Sequence, residues 1–594
     1  MKSFPGQPQN QQVIIRDDGT GQWLSFQSPR RVVTTRRLDD LQAQLERVEQ
    51  AVNEEGLHAA GWIAYEASPA FDPALTAHPP GDFPLLWFGL YEAPTVLDLP
   101  DAENETGPET GPWSSSLSPE EYAAAFQRIK THIREGDTYQ VNYTHRLTCD
   151  GFAQDPWQTF LSLTDAQRAR YGAFISADPW RICSASPELF FRLDDTQLES
   201  RPMKGTAPRG LTQLQDCLQA EALHASEKNR AENLMIVDMV RNDMGRIARP
   251  HTVETPHLCA LEKYPTLWQL TSTVTAQTDA SVPDLFRAMF PPASITGAPK
   301  ARTMEIITEL ETTPRQLYTG TIGFWAPGRR AQFNVAIRTL LLDTRTQQAE
   351  YGVGGGIVWD SDCEKEQAEC RTKARILQTV QPPFSLLETM LWTPGDGIHL
   401  LDRHLKRLAE SADYFDFDLN EVQLRDQLDP LTATLPASPH RIRLLLAEDG
   451  EITLQSTPLP GLEASPPMRV TLAQQAVDRT SPFLYHKTTN RWVYEQARAG
   501  AHGFDDVILT NEKDEVTETT IANLAVEVDG HLCTPPVECG LLPGTERAEL
   551  LENGILRERV ITRQELLASP RVFLLNSVRG MIPLAIEPPP PLNH

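Results

Sequence analysis

Hydrophobic periodicity divides the first hundred residues into short strands and one long helix. From Leu38 to Val52 the apolar residues recur every three or four positions, which predicts an amphipathic helix over residues 38–54. Continuous apolar runs such as residues 85–91 predict strands. Residues 99–117 are rich in Pro, Gly, Ser, Thr and acidic residues, so they predict an exposed linker.

The pattern changes at Ser118. The run Ser118-Pro-Glu-Glu121 has a capping serine, a first-turn proline and two acids, so it predicts a helix that ends at Gly136. Strand-like runs follow, among them residues 331–342, and the apolar spacing predicts further helices at residues 227–244 and 362–379. Residues 118–380 therefore form one candidate domain of mixed helices and strands.

Two adjacent prolines mark a second boundary at residues 381–384. After it the pattern begins again, with a predicted strand over 385–392 and a predicted helix over 402–414. We therefore expect two functional units. The expected segments are an N-terminal part (1–98), a linker (99–117), a catalytic domain (118–380), a short linker (381–384) and a second domain (385–594).

Composition narrows the kinds of partner. The chain has 594 residues and a net charge of −26, so its long-range field repels nucleic acid and anionic membrane surfaces. Its eight cysteines are scattered, with no spacing typical of zinc sites or of a disulfide scaffold. The sequence shows no signal peptide and no apolar run of membrane-spanning length, and we expect a cytoplasmic protein.

The stretch Arg201-Pro-Met-Lys-Gly-Thr-Ala-Pro-Arg209 holds one lysine on a stiff, non-helical segment. Its prolines disfavour helix, and Gly205 allows a close backbone approach. By itself Lys204 is more often a solvated surface charge, and Glu188, in Ser186-Pro-Glu188, is more often an acid in a turn. The catalytic interpretation pairs the amine of Lys204 with Glu188 as a general acid or base.

Carboxylates recur on two predicted helices. Glu232 lies near the start of one helix, and Glu366 and Glu369 lie one turn apart on the other. If both helices face one cleft, these carboxylates suit Mg²⁺, which prefers a few carboxylates together with water and substrate oxygens. Paired surface charge is the alternative, and it stays the favoured interpretation for Glu366. Backbone N–H groups near Thr296 and in the run 352–357 suit an anionic group.

Several longer motifs occur in order between residues 118 and 380. They are Ser186-Pro-Glu188, Pro202-Met-Lys-Gly-Thr206, Arg230-Ala-Glu-Asn-Leu-Met-Ile-Val-Asp238, Arg241-Asn-Asp243, Ser294-Ile-Thr-Gly-Ala-Pro-Lys300, Ala336-Ile-Arg338 and Gly352-Val-Gly-Gly-Gly-Ile357. Together they resemble the chorismate-utilising enzymes: anthranilate, isochorismate and salicylate synthases and component I of aminodeoxychorismate synthase. The resemblance implies a large α/β sandwich of antiparallel sheets flanked by helices.

The resemblance also implies roles for the motif residues. Anthranilate synthases carry Pro-Ile-Ala-Gly-Thr where this chain has the lysine of the aminodeoxychorismate enzymes. Lys204 is implied to attack C2 of chorismate, and Glu188 to help the C4 hydroxyl leave before ammonia adds at C4. Glu232 and Glu369 are implied to bind Mg²⁺. The remaining substrate-binding positions are implied to be Thr296, Arg338, Lys373 and the amides of Gly354, Gly355 and Gly356.

One position departs from this family. Many members have a histidine where this chain has Gln269, and an amide cannot transfer a proton as an imidazole does. This difference argues against anthranilate chemistry, in which the loss of pyruvate needs a proton acceptor.

The second unit resembles a different group of enzymes. Singly, Lys487, Glu518 and Arg407 are more often surface residues. With Gly503-Phe-Asp-Asp-Val-Ile-Leu509 and Leu542-Pro-Gly-Thr545 they resemble the fold-type IV pyridoxal-phosphate enzymes, which have two subdomains. That group includes branched-chain and D-amino-acid aminotransferases and aminodeoxychorismate lyase. It implies a Schiff base at Lys487, Glu518 against the pyridine nitrogen, and Arg407 and Ser577 at the phosphate.

The two resemblances together indicate an enzyme with two activities. The first unit would aminate chorismate at C4, and the second would eliminate pyruvate and leave 4-aminobenzoate. The product would serve folate biosynthesis. The sequence contains no Cys-His glutaminase unit, so we expect ammonia from solution or from a separate glutamine amidotransferase subunit. One alternative joins an anthranilate- or isochorismate-type synthase to an aminotransferase. A catalytically inactive scaffold is the other, and it would have lost Lys204, Glu232 or Lys487.

Overall fold

Antiparallel sheets dominate the computed structural model, which describes residues 8–100, 112–374, 377, 383–459, 467–501 and 503–587. The chain divides into two compact units, Met1–Pro208 with Ala220–Gln381, and Arg209–Gln219 with Pro382–His594. Most of the predicted linker 99–117 and half of the linker 381–384 lie outside the described residues. The sequence did not indicate that residues 209–219 belong with the second unit.

The first sheet of unit one brings the glycine-rich run beside a long polar strand. Gln348–Ile357 pairs along its whole length with Gln140–Asp150, so Gly356 lies opposite Asn142. In spatial order the strands are Gly297–Ala298, Gln140–Asp150, Gln348–Ile357, Thr339–Asp343, Trp180–Ser184, Ala173–Ala177, Gln12–Asp17, Gln22–Phe26 and Thr95–Leu97, with Ser114–Ser115 beside Gln140–Asp150.

The second sheet of unit one carries Lys204 at one end. Its first strand, Met203–Pro208, pairs antiparallel with Leu267–Gln277, which places Thr206 opposite Gln269. In spatial order the strands are Met203–Pro208, Leu267–Gln277, Gln197–Arg201, Leu189–Asp194, Arg330–Asn334, Thr321–Ala326, His58–Ile63, Leu86–Tyr91 and Arg31–Thr35, with Glu254–Lys263 beside Leu267–Gln277.

Helices pack on these sheets through apolar faces that the sequence predicted. Leu38–Asn53 buries Leu41, Leu45 and Val48 in the main core, and Pro119–Glu135 begins with a capping box between Ser118 and Glu121.

The other α-helices of this unit are Ser68–Phe71, Pro156–Gln167, Glu227–Gly245, Val282–Met289, Lys300–Leu310 and Cys363–Ala374, with 3-10 turns at Tyr65–Ala67 and Ala293–Ile295. Helix Gln213–Ala225 begins in unit two and ends in unit one.

One sequence prediction was wrong. Residues 331–342 are not a single strand, because Arg330–Asn334 and Thr339–Asp343 belong to different sheets. The chain turns between them at Arg338, whose φ of 49° lies in the left-handed region. Arg338 therefore lies in the turn between the two sheets and not within a regular strand.

The second unit has two sheets, in agreement with the expected two subdomains. A four-stranded antiparallel sheet has the order Gly397–Ile398, Leu386–Thr393, His440–Leu446 and Ile452–Pro458. An eight-stranded mixed sheet has the order Val516–Thr519, Asp506–Thr510, Met468–Leu472, Gly580–Ile586, Val572–Asn576, Asn523–Val528, His531–Thr534 and Arg557–Glu558. The α-helices are Leu401–Phe415, Glu421–Ala433, Trp492–Ala499, Thr545–Glu552 and Arg563–Ala568, with 3-10 turns at Pro482–Leu484 and Val537–Cys539.

None of the helices that the structure describes is both long and apolar enough to cross a bilayer.

A buried carboxyl makes the stability of unit one depend on pH. Glu66 is 3% exposed, and its Oε1 accepts a hydrogen bond from the backbone N–H of Arg315 at 2.7 Å. Burial raises the pKa of Glu66 to about 7. Because the folded state holds this proton more tightly than the unfolded state does, stability is greatest below the ordinary pKa of 4.5 and falls as pH rises to about 7.

We expect Glu66→Gln to stabilise the protein at pH 8 by about 2–3 kcal/mol and to change little at pH 4.5. The amide oxygen still accepts from Arg315, while the buried charge is removed. Thermal unfolding of variant and wild type at both pH values measures the difference. The exposed Glu221→Gln serves as the control, and an equal shift of Glu66→Gln at both pH values would contradict the prediction.

Candidate active sites

A cavity of about 160 Å³ in unit one collects most of the residues that the sequence singled out. The predicted residues that line it are Glu188, Lys204, Glu232, Arg338, Gly354, Gly355, Gly356, Glu369 and Lys373. Thr296 is not in the lining. It is buried, its Oγ1 donates to the carbonyl of Ala293 at 3.1 Å, and its role in binding substrate stays a prediction.

The backbone around Lys204 is fixed by three features. The pairing of Met203–Pro208 with its neighbour is irregular between Met203 and Thr206, and Gly205 has a φ of 92°. A residue with a side chain rarely adopts that φ, so this bend requires glycine at position 205. In addition, the side-chain amide of Asn233 donates to the carbonyl of Lys204 at 3.2 Å. The amine therefore projects into the cavity from a backbone with little freedom.

Burial shifts the pKa values of Lys204 and Glu188 toward their neutral forms. Burial lowers the pKa of Lys204 and nearby Lys373 lowers it further, although Glu232, Glu188 and Glu369 act in the opposite direction. Burial raises the pKa of Glu188 to about 7, against the influence of Ser294 and Lys204. The shift of Lys204 is the direction that a nucleophilic amine needs, and a pKa of about 7 lets Glu188 donate a proton near neutral pH.

Besides Glu188, three glutamates line the same cavity, and the sequence had favoured a surface position for one of them. Glu366, whose Oε1 accepts from the Ser361 hydroxyl at 2.7 Å, joins Glu232 and Glu369. Burial raises the pKa of both Glu232 and Glu366, and nearby acids raise each further. Mutual repulsion of this kind is relieved by a bound cation, so the carboxylates fit Mg²⁺ in chemistry.

Their present geometry is not that of a closed metal site. Lys373 Nζ lies 2.8 Å from Glu369 Oε1, which holds the pKa of Glu369 below its ordinary value despite burial. In the part of the chain that the structure describes, the one group of three ligand atoms within 4.8 Å is His132, Glu135 and Asp137. Binding of Mg²⁺ at the glutamates would therefore require their side chains to move closer together.

Gln140 is a polar neighbour of Lys204 that the sequence analysis missed. Its side chain is completely buried, and neither its amide nitrogen nor its oxygen has a hydrogen-bond partner among the described residues. A Cβ at Gly356 would lie 2.2 Å from Gln140 Nε2 and 3.1 Å from Lys204 Nζ. Glycine is therefore needed at position 356, because a side chain there would collide with the Gln140 amide. The register of the two strands places Gln140 here, and no local pattern of the sequence shows that register.

Gln269 uses its amide to hold the lysine segment. Its Nε2 donates to the carbonyl of Gly205 at 2.8 Å, and its Oε1 accepts from the Thr206 hydroxyl at 3.1 Å. Both contacts are to residues directly after Lys204. The side chain lines the cavity but offers no proton acceptor comparable to an imidazole.

The second unit has a cavity of about 320 Å³ that is lined by all four residues predicted to hold pyridoxal phosphate: Arg407, Lys487, Glu518 and Ser577. Burial, followed by the nearby Arg407 guanidinium, lowers the pKa of Lys487 to about 8. The backbone carbonyl of Lys487 accepts from the N–H of Leu387 at 2.9 Å, which fixes the segment against the four-stranded sheet.

Glu518 is arranged to accept one more hydrogen bond. Its carboxylate accepts from the Tyr494 hydroxyl at 2.8 Å, from the Asn523 amide at 3.1 Å and from the N–H of Leu542 at 3.3 Å. A carboxylate has about four lone-pair positions, so one remains for the N–H of a pyridinium ring. Burial raises the pKa of Glu518 to about 8, and a cationic ring beside it would favour its ionised form.

Arg407 is held by a carboxylate that the sequence analysis did not identify. Its Nε and one terminal nitrogen donate to the two oxygens of Glu388 at 2.8 and 2.7 Å, and the other terminal nitrogen donates to the Pro543 carbonyl at 3.2 Å. Arg407 and His404 lower the pKa of Glu388 to about 2 although burial acts against ionisation. Two of the five N–H groups of Arg407 remain for a phosphate.

The fold and the two cavities define a two-domain enzyme, and comparison with known proteins gives the class of each domain. Residues 10–379 match the model of the chorismate binding enzyme family, so the chain belongs to that family. Residues 385–586 match the amino-transferase class IV family, whose members hold pyridoxal phosphate. The protein thus joins a chorismate-binding domain to a class IV domain in one chain.

Individual relatives match the first domain. Aminodeoxychorismate synthase component 1 of Klebsiella aerogenes is 44% identical over 276 residues, which are 46% of this chain and 60% of that protein. Anthranilate synthase component 1 1 of Haloarcula marismortui is 38% identical over 287 residues, 48% of this chain and 57% of that protein. The chain thus spans about 60% of the length of each of these two relatives.

A solved structure supports the fold of the same domain. Anthranilate synthase component I from Streptococcus pneumoniae TIGR4 superposes with a TM-score of 0.52 and 21% identity, over 64% of this chain and 94% of that one. At this identity the likeness shows the α/β fold of antiparallel sheets and does not indicate which reaction is catalysed.

We expect Glu388→Gln to weaken binding of pyridoxal phosphate to the cofactor-free protein by about tenfold or more, because an amide cannot accept from Arg407 and His404 together. Spectrophotometric titration with the cofactor measures the dissociation constant. Glu495→Gln changes an exposed acid of the same unit and is the control. A lower melting temperature with an unchanged dissociation constant would show that Glu388 has only a structural role.

Proposed function

We propose that this chain converts chorismate and ammonia into 4-aminobenzoate and pyruvate in two reactions, one in each domain. The observation that carries the proposal is the placement of Lys204 in one cavity with Glu188 and three further glutamates, in a chain that also holds Lys487 in a second cavity. The similarity to proteins named aminodeoxychorismate synthase component 1 supports the choice of reaction.

The first reaction is amination at C4. The neutral amine of Lys204 bonds to C2 of chorismate while the C4–oxygen bond breaks, and Glu188 gives its proton to the departing hydroxyl, which leaves as water. Ammonia then bonds to C4 and the bond between C2 and Lys204 breaks. The product is 4-amino-4-deoxychorismate, and Lys204 is regenerated. The lowered pKa of Lys204 and the raised pKa of Glu188 suit these roles.

Mg²⁺ would be held by Glu232 and Glu369, with Glu366 as a third carboxylate in the same cavity. The cation would neutralise part of the repulsion among these acids and bind a carboxylate of the substrate. Arg338 and Lys373 line the cavity as further cations, and the amides of Gly354, Gly355 and Gly356 supply neutral donors.

The second reaction is an elimination. Pyridoxal phosphate, when bound, supplies an electron sink for the carbon that carries the amine. Lys487 takes the proton from C4, and its lowered pKa gives it a neutral share near physiological pH. The bond from C3 to the enolpyruvyl oxygen breaks, the ring becomes aromatic, and the enolpyruvate takes up the proton to become pyruvate. Glu518 would orient the pyridine nitrogen of the cofactor, and Arg407 with Ser577 would bind its phosphate.

Three arginines favour a substrate with remote carboxylates. Arg441, Arg443 and Arg579 line the second cavity, and none forms an ion pair with a carboxylate among the described residues. The product of the first reaction is a dicarboxylate whose carboxylates are several bonds from its amine. Unpaired guanidinium groups around the cavity suit such a substrate better than a simple α-amino acid with an apolar side chain.

The names of two relatives support a separate source of ammonia. Those in Klebsiella aerogenes and Escherichia coli are named component 1. We therefore include in the proposal a separate second component that releases ammonia from glutamine. Anthranilate-type chemistry is the second candidate, since a protein named anthranilate synthase component 1 1 is 38% identical, but Lys204 and Gln269 favour amination at C4.

Product analysis of two lysine variants tests the proposal. With chorismate, an ammonium salt, Mg²⁺ and pyridoxal phosphate, the wild type is expected to form 4-aminobenzoate. Lys204→Ala should lower this rate by about a hundredfold or more, yet convert supplied 4-amino-4-deoxychorismate normally. Lys487→Ala should accumulate 4-amino-4-deoxychorismate. The exposed Lys365→Ala is the control, and anthranilate as the wild-type product would overturn the proposal.

Titration with Mg²⁺ tests whether Glu366 contributes to the proposed metal site. We expect Glu366→Gln to raise the Mg²⁺ concentration for half-maximal amination by about tenfold, because one of three carboxylates is lost. Glu364→Gln removes an exposed acid from the same helix and should leave the titration unchanged. Equal Mg²⁺ dependence in the two variants would exclude Glu366 from the metal site.

A further inference from the structure

Residues 209–219 lie within the second unit although the family match of the first domain includes them. We call this segment the strap. It follows directly on strand Met203–Pro208, which carries Lys204, and its second half is the first part of helix Gln213–Ala225. The next helix carries Glu232. The strap is therefore joined at both ends to elements of the chorismate-binding domain.

Arg209 anchors the strap to Tyr414. Its guanidinium carbon lies 4.3 Å from the centre of the tyrosine ring, and a terminal nitrogen donates to the backbone carbonyl of Tyr414 at 2.7 Å. Its Nε donates to Asp216 at 2.7 Å, and the two side chains are only 6% and 2% exposed. A cation stacked on a ring and shielded from water in this way is a specific contact rather than a solvated surface charge.

Gly210 closes the turn of the strap. Its N–H donates to Asp216 at 2.8 Å, and its carbonyl accepts from the Tyr414 hydroxyl at 2.8 Å. A Cβ at this position would lie 2.1 Å from the backbone nitrogen of Asp216. Since a side chain cannot fit, the turn depends on glycine.

The contacts of the strap continue to the cofactor lysine. The Tyr414 ring stacks on His486 with a centroid distance of 4.2 Å and an angle of 29°. His486 is buried, its Nδ1 lies 3.0 Å from the Ser411 hydroxyl, and it directly precedes Lys487. Movement of the tyrosine ring would therefore be transmitted to the backbone that carries the lysine.

A second set of contacts leads to Glu518. Leu211 of the strap packs against an apolar cluster that contains Leu484 and Tyr494. The hydroxyl of Tyr494 donates to Glu518 at 2.8 Å. Leu484 belongs to the turn that precedes His486. The strap thus supports the residues next to both Lys487 and Glu518 without lining the cavity itself.

We propose that the strap positions Lys487 and Glu518, so that cofactor binding by the class IV domain of this chain depends on a segment supplied by the chorismate-binding sequence. Arg209, Gly210 and Tyr414 are positioning residues, because they act through His486 and Tyr494 and do not touch the cofactor. The inference rests on the proposed function only for the roles given to Lys487 and Glu518.

Hydrogen exchange and cofactor titration of the full chain test this inference. In Arg209→Ala and Gly210→Ala we expect amide exchange in residues 482–490 to become at least threefold faster and the dissociation constant for pyridoxal phosphate to rise about tenfold. Arg209→Lys keeps the charge but not the paired donors, so an intermediate change is expected. Tyr414→Phe keeps the stacked ring, loses only the bond to Gly210, and should show the smallest change.

Gln219→Ala, at an exposed position of the strap, is the matched control. The inference would be overturned if Arg209→Ala and Arg209→Lys both matched Gln219→Ala. The match would have to hold for amide exchange in residues 482–490 and for the cofactor dissociation constant. If Arg209→Ala does not fold, Arg209→Lys and Gly210→Ala decide the question. Full activity of Lys487→Ala on supplied 4-amino-4-deoxychorismate would refute the proposed function, whereas faster exchange in the strap variants would still show the positioning role.

Discussion

Both domains bury charged groups, and each buried group must be compensated for its lost hydration. A carboxylate or ammonium group loses several kcal/mol of hydration when it is buried, so the structure must supply partners or let the group become neutral. Lys204 and Glu188 have pKa values shifted toward their neutral forms. Glu388 and Arg407 instead form a bidentate ion pair, and His404 makes a further hydrogen bond to Glu388.

The walls of the first cavity depend on a buried ion pair of the same kind. Arg315 is 1% exposed, and it is paired with Glu311 at 2.7 Å. Its other donors reach the backbone carbonyls of Asn142 and Ile295 at 2.7 and 2.9 Å, and both residues line the cavity. Loss of one member of such a pair typically costs 3–5 kcal/mol. The pair therefore fixes two cavity walls that come from distant parts of the sequence.

The sequence predicted features that local chemistry controls. Ser118 and Gly136 marked both ends of a helix because capping and the left-handed conformation are local properties. The features that the sequence did not predict depend on pairing between strands that are distant in the sequence. Residues 331–342 form two strands because Arg338 turns the chain from one sheet to the other. Gln140 lies beside Lys204 because its strand pairs with the glycine-rich run, a register that no local pattern shows.

The two lysines show how surroundings give one side chain two uses. Around Lys204, burial lowers the pKa most strongly and Lys373 lowers it further, while Glu232, Glu188 and Glu369 act in the opposite direction. Around Lys487, burial and Arg407 lower the pKa to about 8, and the opposing carboxylates have weaker effects.

An amine that must first bond to carbon and then leave benefits from carboxylates that stabilise its cationic form. A base that must repeatedly accept and release a proton benefits from a pKa close to the working pH. The difference between the two environments therefore matches the difference between the two proposed reactions.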